Sequence, residues 1–600
     1  MTRLSQTVSP FGVGAILDIG GESLMAMDIS VWPYRDTRRV VSRRLELSLG
    51  VSELRSPPSV PSYPSVNTPG LAYRRFPAWL FCQSCRRMHR FLSREETGSA
   101  PRCTECSGPM VPMRFVAVGV QHGHAMDVPW DVWAHSEPTD DNQRRCRSEE
   151  LLFQTTAAET EGLASLVVRC AACSASRHLG DLTVRESLRR IGVRCSGAQP
   201  WQSPRPGGCD ERVEVLQRGS ASVTISDTVT ALDIPEPTTQ VQNVEDNIRQ
   251  HRNFEDVRTA PDGPRASVLV GLIAEDLQVS EELVWRVART SPNASQEIQA
   301  ARQGLLADEW LAFQQAIDNP GESVGTPNFV VSLTPFLPDS PDEALTALSA
   351  LVGNVVIAQR IREIRVLRGF RRYDYGSDFV DVDLGPRGRE RWLPAVESFG
   401  EGILLTLDDS ELRSWESKEE VRARVATLER RRRSSKIGSR LEEVTPRLVL
   451  LHTLSHLLMR QLAFSCGYSS ASLRERVYGA TVPTPESGIL IYTASGDSEG
   501  TLGGLARQAE APRLGRTLLA ALEQAAWCSA DPLCGESRGQ GLDSLNLAAC
   551  HGCSLVSETS CERSNLMLDR LLVIGNEEVP GYFSDLIALM RGQAALNSEG

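Results

Sequence analysis

A multidomain α+β chain is the fold class these residues predict. Zinc-ribbon-like β lobes fill its N-terminal half, followed by a helical middle and a C-terminal α+β four-cysteine zinc-binding domain. Three observations predict it. The length of 600 residues leaves room for about four packed units. A 41% hydrophobic and 23% charged composition is that of a globular chain, which excludes a wholly disordered or fibrous protein. Thirteen of the 15 cysteines gather in three places, the last of them in a segment too Gly/Ser/Asp-rich for a regular helix.

Charge and sequence patterning narrow the function. Against 64 Lys+Arg stand 76 Asp+Glu, a formal charge of -12. A globally basic nucleic-acid binder is excluded, while a local basic face is not. No uninterrupted apolar run approaches the roughly 20 residues that cross a bilayer. Pro10, Gly12, Gly14 and Asp18 interrupt any N-terminal apolar segment, so the expectation is a cytoplasmic protein with no membrane partner. Nearly every basic residue is arginine, and the lysines are Lys418 and Lys436 alone. A P-loop needs Gly-x-x-x-x-Gly-Lys-Ser/Thr, because its lysine reaches the β- and γ-phosphates while backbone N–H groups cradle the rest. Neither lysine follows such a run, so ATP-driven work must come from a partner.

The elements follow in chain order. Residues 1–69 read as short β segments, among them Gly14-Ala-Ile-Leu-Asp-Ile, ending in a Pro/Ser linker from Pro57 to Pro69. Residues 70–225 carry two cysteine groups among short strands. Residues 226–345 show helical periodicity over Glu275–Arg289 and Glu297–Ile317. Residues 346–445 combine a helix over Leu351–Arg368, a strand at Gly402-Ile-Leu-Leu-Thr-Leu and a charged helix over Val421–Arg440. Residues 446–600 open with an amphipathic helix, Arg447 to Phe464, stopped near Gly467. A buried strand at Gly488-Ile-Leu-Ile-Tyr-Thr, a helix over Arg516–Trp527, a cysteine lobe and a helix near Phe583–Leu596 complete it.

The cysteines carry the chemistry. Cys82-x-x-Cys85 and Cys103-x-x-Cys106 are two knuckles with the spacing of a four-cysteine zinc ribbon. Four thiolates close a tetrahedral Zn²⁺ site without redox chemistry. Cys170-x-x-Cys173 with the single Cys195 and Cys209 is a looser second set, with His178 as an alternative ligand. Cys528, Cys534, Cys550, Cys553 and Cys561 form a third, in which four thiolates bind one ion and the fifth is spare. Cys146 and Cys466 read as plain buried thiols. The expectation is two to three structural Zn²⁺ sites, closed by protein ligands and without an open position for catalysis.

Several C-terminal motifs occur together: His452-Thr-Leu-Ser-His456, Ile489-Leu-Ile-Tyr492, Gly496-Asp-Ser-Glu-Gly-Thr-Leu-Gly-Gly504, Cys561-Glu-x-x-Asn565 and Leu568-Asp-Arg570. Together they resemble the MrfA-type zinc-binding domain found at the C-terminus of certain superfamily 2 DNA helicases. Gly369-Phe-Arg and Pro394-Ala-Val-Glu-Ser-Phe-Gly-Glu-Gly402 look like its lead-in. Further upstream, Ser5-Gln-x-x-x-Pro-Phe-Gly, Arg75-Phe-Pro-Ala-Trp-Leu-Phe-Cys82, Gly123-His, Pro129-Trp130 and Pro200-Trp201 are similar to the DrmB family of the DISARM anti-phage system. Val120 departs from the Cys-x-x-Gly-His expected there, which weakens a metal role for His122 or His124. The resemblance implies a non-catalytic subunit that associates with a DrmA-like superfamily 2 helicase. The pair would engage invading DNA in a system that includes a DNA methyltransferase.

Candidate DNA contacts are arginine-rich segments. Arg430, Arg431, Arg432 and Arg433, with Lys436 and Arg440, lie at a helix end. Arg371 and Arg372, with Arg368, flank Phe370 and Tyr373, where an aromatic ring can stack an unpaired base. Arg35, Arg38, Arg39, Arg43 and Arg44 form another run. The plainer account is a solvated charged face, since Glu416 to Glu429 interleaves acids with Arg422 and Arg424 as helical pairs do. Two other functions remain open. One is a scaffold that never touches nucleic acid. The other is a metal-dependent nuclease built from Asp497, Glu499, His452 and His456, although Thr453 stands where a zinc protease has its glutamate. Histidines bonded to nearby backbone are the simpler reading of that pair.

Overall fold

The computed structural model describes the chain except for residues 1–3, 59–69, 157–161, 203–207, 236–247, 249–250, 252, 260–264, 278, 290–293, 338–339, 383–390, 483, 494–503 and 599–600. Most of the Pro57–Pro69 linker therefore lies outside the described residues, as do Asp497 and Glu499. The architecture is mixed α+β. No helix among the described residues is long and apolar enough to cross a membrane. Two compact units divide the chain: Met1–Ala231 with Glu363–Ser398, and Leu232–Arg362 with Phe399–Gly600.

Short antiparallel sheets build the first unit. Ile16–Ile19, Glu22–Ala26 and Tyr73–Arg75 make one. Trp79–Cys82 is flanked by Met88–Arg90 and Met110–Pro112 in a second. Phe115–Gly119 lies between Ala125–Asp127 and Val213–Gln217 in a third. Leu151–Thr155, Leu166–Cys170 and Ser176–His178 form a fourth. None of these sheets is large enough to enclose a core alone. The last three share one, in which Trp79, Phe115, Trp130, Trp133, Val168 and Leu179 pack with Cys170 and Cys195.

Arg372 corrects one expectation. The sequence marks it as a DNA contact, yet it is fully buried. Its guanidinium donates to the carbonyls of Gly14 (2.8 Å) and Gly123 (3.0 Å) and to Thr224 Oγ1 (2.8 Å). It also lies 4.7 Å from the ring centroids of both Trp201 and Phe370. Gly14 permits this approach: it has φ +75°, and a Cβ there would sit 2.5 Å from the Phe370 ring. Arg371 is part-buried, donates to the Ser377 carbonyl and lies over the Phe379 ring.

The second unit is a sheet covered by helices. Its strands run in the order Val324–Thr326, Phe329–Thr334, Val352–Arg371, Trp392–Leu407, Gly488–Thr493 and Leu473–Tyr478. The unit boundary falls inside both long strands. Helix α1 (Ala294–Asp318) contributes Trp310 and Phe313 to the core against Phe329, Tyr478 and Leu490. Helix α2 is Glu419–Ser434, α3 is Pro446–Cys466 and α4 is Arg513–Ala525. α3 packs on the last two strands of the sheet and on α4.

Four sequence expectations change here. Leu351–Arg368 is not a helix but most of the strand Val352–Arg371. Val352, Val355, Val356, Ile357, Ile361, Ile364 and Val366 favour extended backbone, and buried Arg362, Glu363 and Arg365 mask the strand's alternation. Glu275–Arg289 is two helices, Ala266–Leu277 and Glu281–Arg289, with Ser280 Oγ accepting from Leu283 N (3.3 Å) at the second start. The charged helix ends at Ser434, before a 3₁₀ turn at Gly438–Arg440. Finally, α3 is not amphipathic: it is buried nearly all round, the polar Arg447, His452, Thr453, Ser455 and His456 included. Thr445 caps its start by accepting from Leu448 N (3.2 Å), and Gly467 at φ 72° ends it.

Candidate metal centres

Five groups of four donor side chains converge among the described residues, each with its ligand atoms within 4.8 Å of one another. Two are all-cysteine. In the first, the strand Trp79–Cys82 delivers Cys82 to a turn holding Cys85, while a second turn holds Cys103 and Cys106. Cys82 and Cys106 sulfurs lie 3.5 Å apart, and those of Cys85 and Cys103 3.6 Å. A disulfide would bring them to about 2.05 Å, whereas four thiolates about 2.3 Å from Zn²⁺ stand about 3.8 Å apart. The donor spacing is that of a metal site. Burial opposes ionisation of Cys82, but the N–H groups of Cys85 and Ser84 and its cysteine neighbours hold it below the ordinary thiol value.

The three knuckles of the first unit share a backbone signature. Arg86, Ser107 and Ser174 each follow the second cysteine of a Cys-x-x-Cys, at φ 64°, 57° and 64°. A left-handed residue there turns the chain back, so that backbone N–H groups point at the sulfur. Residues other than glycine hold this conformation at a cost.

Cys528, Cys534, Cys550 and Cys553 form the other all-cysteine group, at the end of α4. Sulfur separations are 3.4 Å for Cys528–Cys550, 3.7 Å for Cys534–Cys553 and 3.8 Å for Cys550–Cys553. Arg460 of α3 clamps the knuckle, donating to the carbonyls of Gly552 (2.8 Å), Leu555 (3.0 Å) and His551 (3.3 Å).

The looser second set divides in two. Cys170 and Cys173 converge not with Cys195 and Cys209 but with His135 and Cys146. Cys146 is therefore no plain thiol. His135 Nδ1 lies 2.7 Å from the Asp131 carbonyl, and Nε2 of the same ring lies 3.3 Å from Cys173 Sγ. His178 is not a partner: it is exposed and its Nδ1 accepts from Gly180 N (3.1 Å). Cys195 and Cys209 meet His124 and Glu211 instead. His124 Nδ1 is 2.8 Å from Glu211 Oε1 and 3.3 Å from Cys195 Sγ. Burial raises the Glu211 carboxyl, but His124 and the N–H groups of His122 and Gln121 outweigh it and hold it at about 2. Val120 thus does not remove His124 from a donor group, because Glu211 supplies the fourth ligand atom. His122 stands apart, bonded to Asp378 (2.8 Å).

Cys561 is not spare. It joins His452, His456 and Glu475, and all four are buried. Burial lowers His452 to about 4, against the pull of Glu475, so its imidazole is neutral near pH 7. Cys466 joins no group among the described residues.

His135, Cys146, His124, Glu211 and Glu475 are the donors that sequence spacing does not find. Two signals were available: Glu211 follows Cys209 by two residues, and Cys146 precedes a knuckle. His135 and Glu475 have no local signature.

The basic segment of α2 is largely engaged within its own unit. Arg432 donates to Glu429 (2.7 and 2.8 Å) and to the carbonyls of Gly438 (2.7 Å) and Leu441 (3.1 Å), bridging the helix end. Arg431 donates to the carbonyls of Ser544 (2.9 Å) and Arg538. Arg430, Arg433 and Lys436 are exposed. Arg433 pairs with Glu429 (2.7 Å), and Arg430 donates to the Ala426 carbonyl (3.3 Å) and to Thr427 Oγ1 (3.1 Å) of its own helix.

Comparison with known proteins agrees with this architecture. Residues 454–554 match the family described as the MrfA Zn-binding domain, and the Cys528 centre lies inside that range. Residues 3–225 match a family described as a domain of unknown function, DUF8724. The class is thus a multi-centre cysteine protein with a C-terminal MrfA-type zinc-binding domain. The chain is also 30% identical over 582 residues to the DISARM protein DrmB of Bacillus paralicheniformis, covering 93% of this chain and 97% of that protein. It belongs to the DrmB family of the DISARM defence system.

Proposed function

We propose that this chain is a non-catalytic, zinc-containing subunit of a DISARM complex. It associates with a DrmA-like superfamily 2 helicase, helps bind or load invading DNA, and works beside other subunits that include a DNA methyltransferase. One observation carries the non-catalytic part: the donor groups are closed. Each brings four protein atoms to one point, and a tetrahedral ion so held has no position left for water or substrate. The missing lysine loop supports borrowing the motor from another chain. The cysteines named from sequence other than Cys561, with His135, Cys146, His124 and Glu211, would hold four structural Zn²⁺ ions.

A nuclease using His452 and His456 is disfavoured, since both side chains are fully buried against Glu475 and Cys561. DNA contact is assigned to the exposed Arg430, Arg433 and Lys436 with neighbouring Arg440. Co-purification with the helicase subunit, followed by ATPase assays, tests the whole reading. The chain alone should turn over no nucleotide, and the complex should do so with DNA. Turnover by the isolated chain, or failure of the two to associate, would overturn it.

A further inference from the structure

We propose that His452, His456, Glu475 and Cys561 hold an additional structural Zn²⁺ that ties α3 to the sheet and to the segment after the cysteine lobe. His452 and His456 lie one turn apart on α3 and so project together. Their rings meet edge to face, with centroids 4.6 Å apart. Glu475 comes from the strand Leu473–Tyr478, and Cys561 from the chain beyond the four-cysteine knuckle. Glu475 Oε1 is 3.1 Å from His452 Nε2 and 3.4 Å from His456 Nε2, while His452 Nε2 is 3.2 Å from Cys561 Sγ.

Neighbouring groups bonded to these side chains orient them as ligands. His456 Nδ1 lies 2.9 Å from the Ser554 carbonyl and donates to it, so in the neutral ring the Nε2 lone pair faces Glu475. Ser455 Oγ donates to the other Glu475 oxygen, leaving Oε1 for the centre. Cys561 Sγ accepts the N–H groups of Arg563 (3.3 Å) and Asn565 (3.2 Å). Cys82 accepts Ser84 N (3.3 Å), Cys195 accepts Gly197 N (3.4 Å) and Cys528 accepts Ala530 N (3.4 Å) in the same two-residue pattern. Cys561 is therefore dressed as the cysteines of the other centres are.

Two imidazole nitrogens, a thiol and a carboxylate oxygen crowd one buried space, a donor set that a cation between them would satisfy at once. Imidazole, thiolate and carboxylate together suit Zn²⁺. Full burial makes the ion structural rather than catalytic.

Crystals of the unaltered full-length chain test this directly. An anomalous-scattering peak at the zinc edge is expected at the centre of the four donors, and its absence overturns the proposal. Cys561→Ala and His456→Phe should each lower zinc by one equivalent per chain in elemental analysis. Cys528→Ala should remove a different equivalent, additive with the first. Unchanged zinc in folded Cys561→Ala and His456→Phe chains overturns the assignment while leaving the other centres standing.

Discussion

Arg424 of α2 grips Asp569 with both ends of its guanidinium, Nη2 to Oδ1 at 3.0 Å and Nε to the other oxygen. Asp569 is fully buried and also accepts the N–H groups of Leu571 (3.2 Å) and Ala548 (3.3 Å). The next residue, Arg570, donates to the Ala525 carbonyl (2.9 Å) and to Asp531, whose other oxygen accepts Cys528 N (2.9 Å). The Leu-Asp-Arg motif thus secures the four-cysteine lobe to α2 and α4. Removing one partner of a buried pair strands the other. Asp569→Ala should cost about 3–5 kcal/mol by denaturant titration, and Arg424→Ala should not add fully to it in a double-mutant cycle.

Metal loss should be local. Cys534→Ser is expected to release one zinc and to strip hydrogen-exchange protection from 528–553, while the small sheets of the first unit keep theirs. Protection lost throughout the chain would contradict closed, independent centres.

Burial pushes the Glu486 carboxyl up to about 7 from an ordinary 4.5, with Ala480 N opposing by donating to it at 3.1 Å. Below pH 4.5 the folded and unfolded chains both hold this proton, and its stabilising contribution is complete. As pH rises the unfolded chain releases the proton first, so stability falls until about pH 7, where the folded group also ionises. Glu486→Gln should flatten that decline, a difference of order 2–3 kcal/mol near pH 8, read from denaturation midpoints across pH. An identical slope in the variant would refute the assignment.

Charge reversal on α2 separates DNA contact from structure. Arg430→Glu with Lys436→Glu should lower the salt dependence of DNA binding by about two in log–log slope, with the melting temperature unchanged. Arg432→Ala should instead lower stability by about 1–3 kcal/mol, because it removes the bridge from Glu429 to Gly438 and Leu441.

How far the residues spoke for themselves differs from place to place. The Cys82 group was legible because both ligands of each of its knuckles lie within one turn, and local spacing is then already geometry; the C-terminal set was legible only as five candidates, because Cys528 and Cys534 form no knuckle and spacing does not say which sulfur stands apart. The helix ending at Gly467, the buried strand Gly488–Thr493 and the absent lysine loop were legible for the same reason: each is a property of contiguous residues. Folding in space settled the rest. It moved Cys170 and Cys173 to His135 and Cys146, gave Cys195 and Cys209 the partners His124 and Glu211, and turned Leu351–Arg368 from helix to strand. It drew Arg372 inward and made Cys561 a neighbour of His452. In each case the deciding contact joins residues far apart in the chain, and chain separation carries no trace of which buried donor or carbonyl will be left needing a partner.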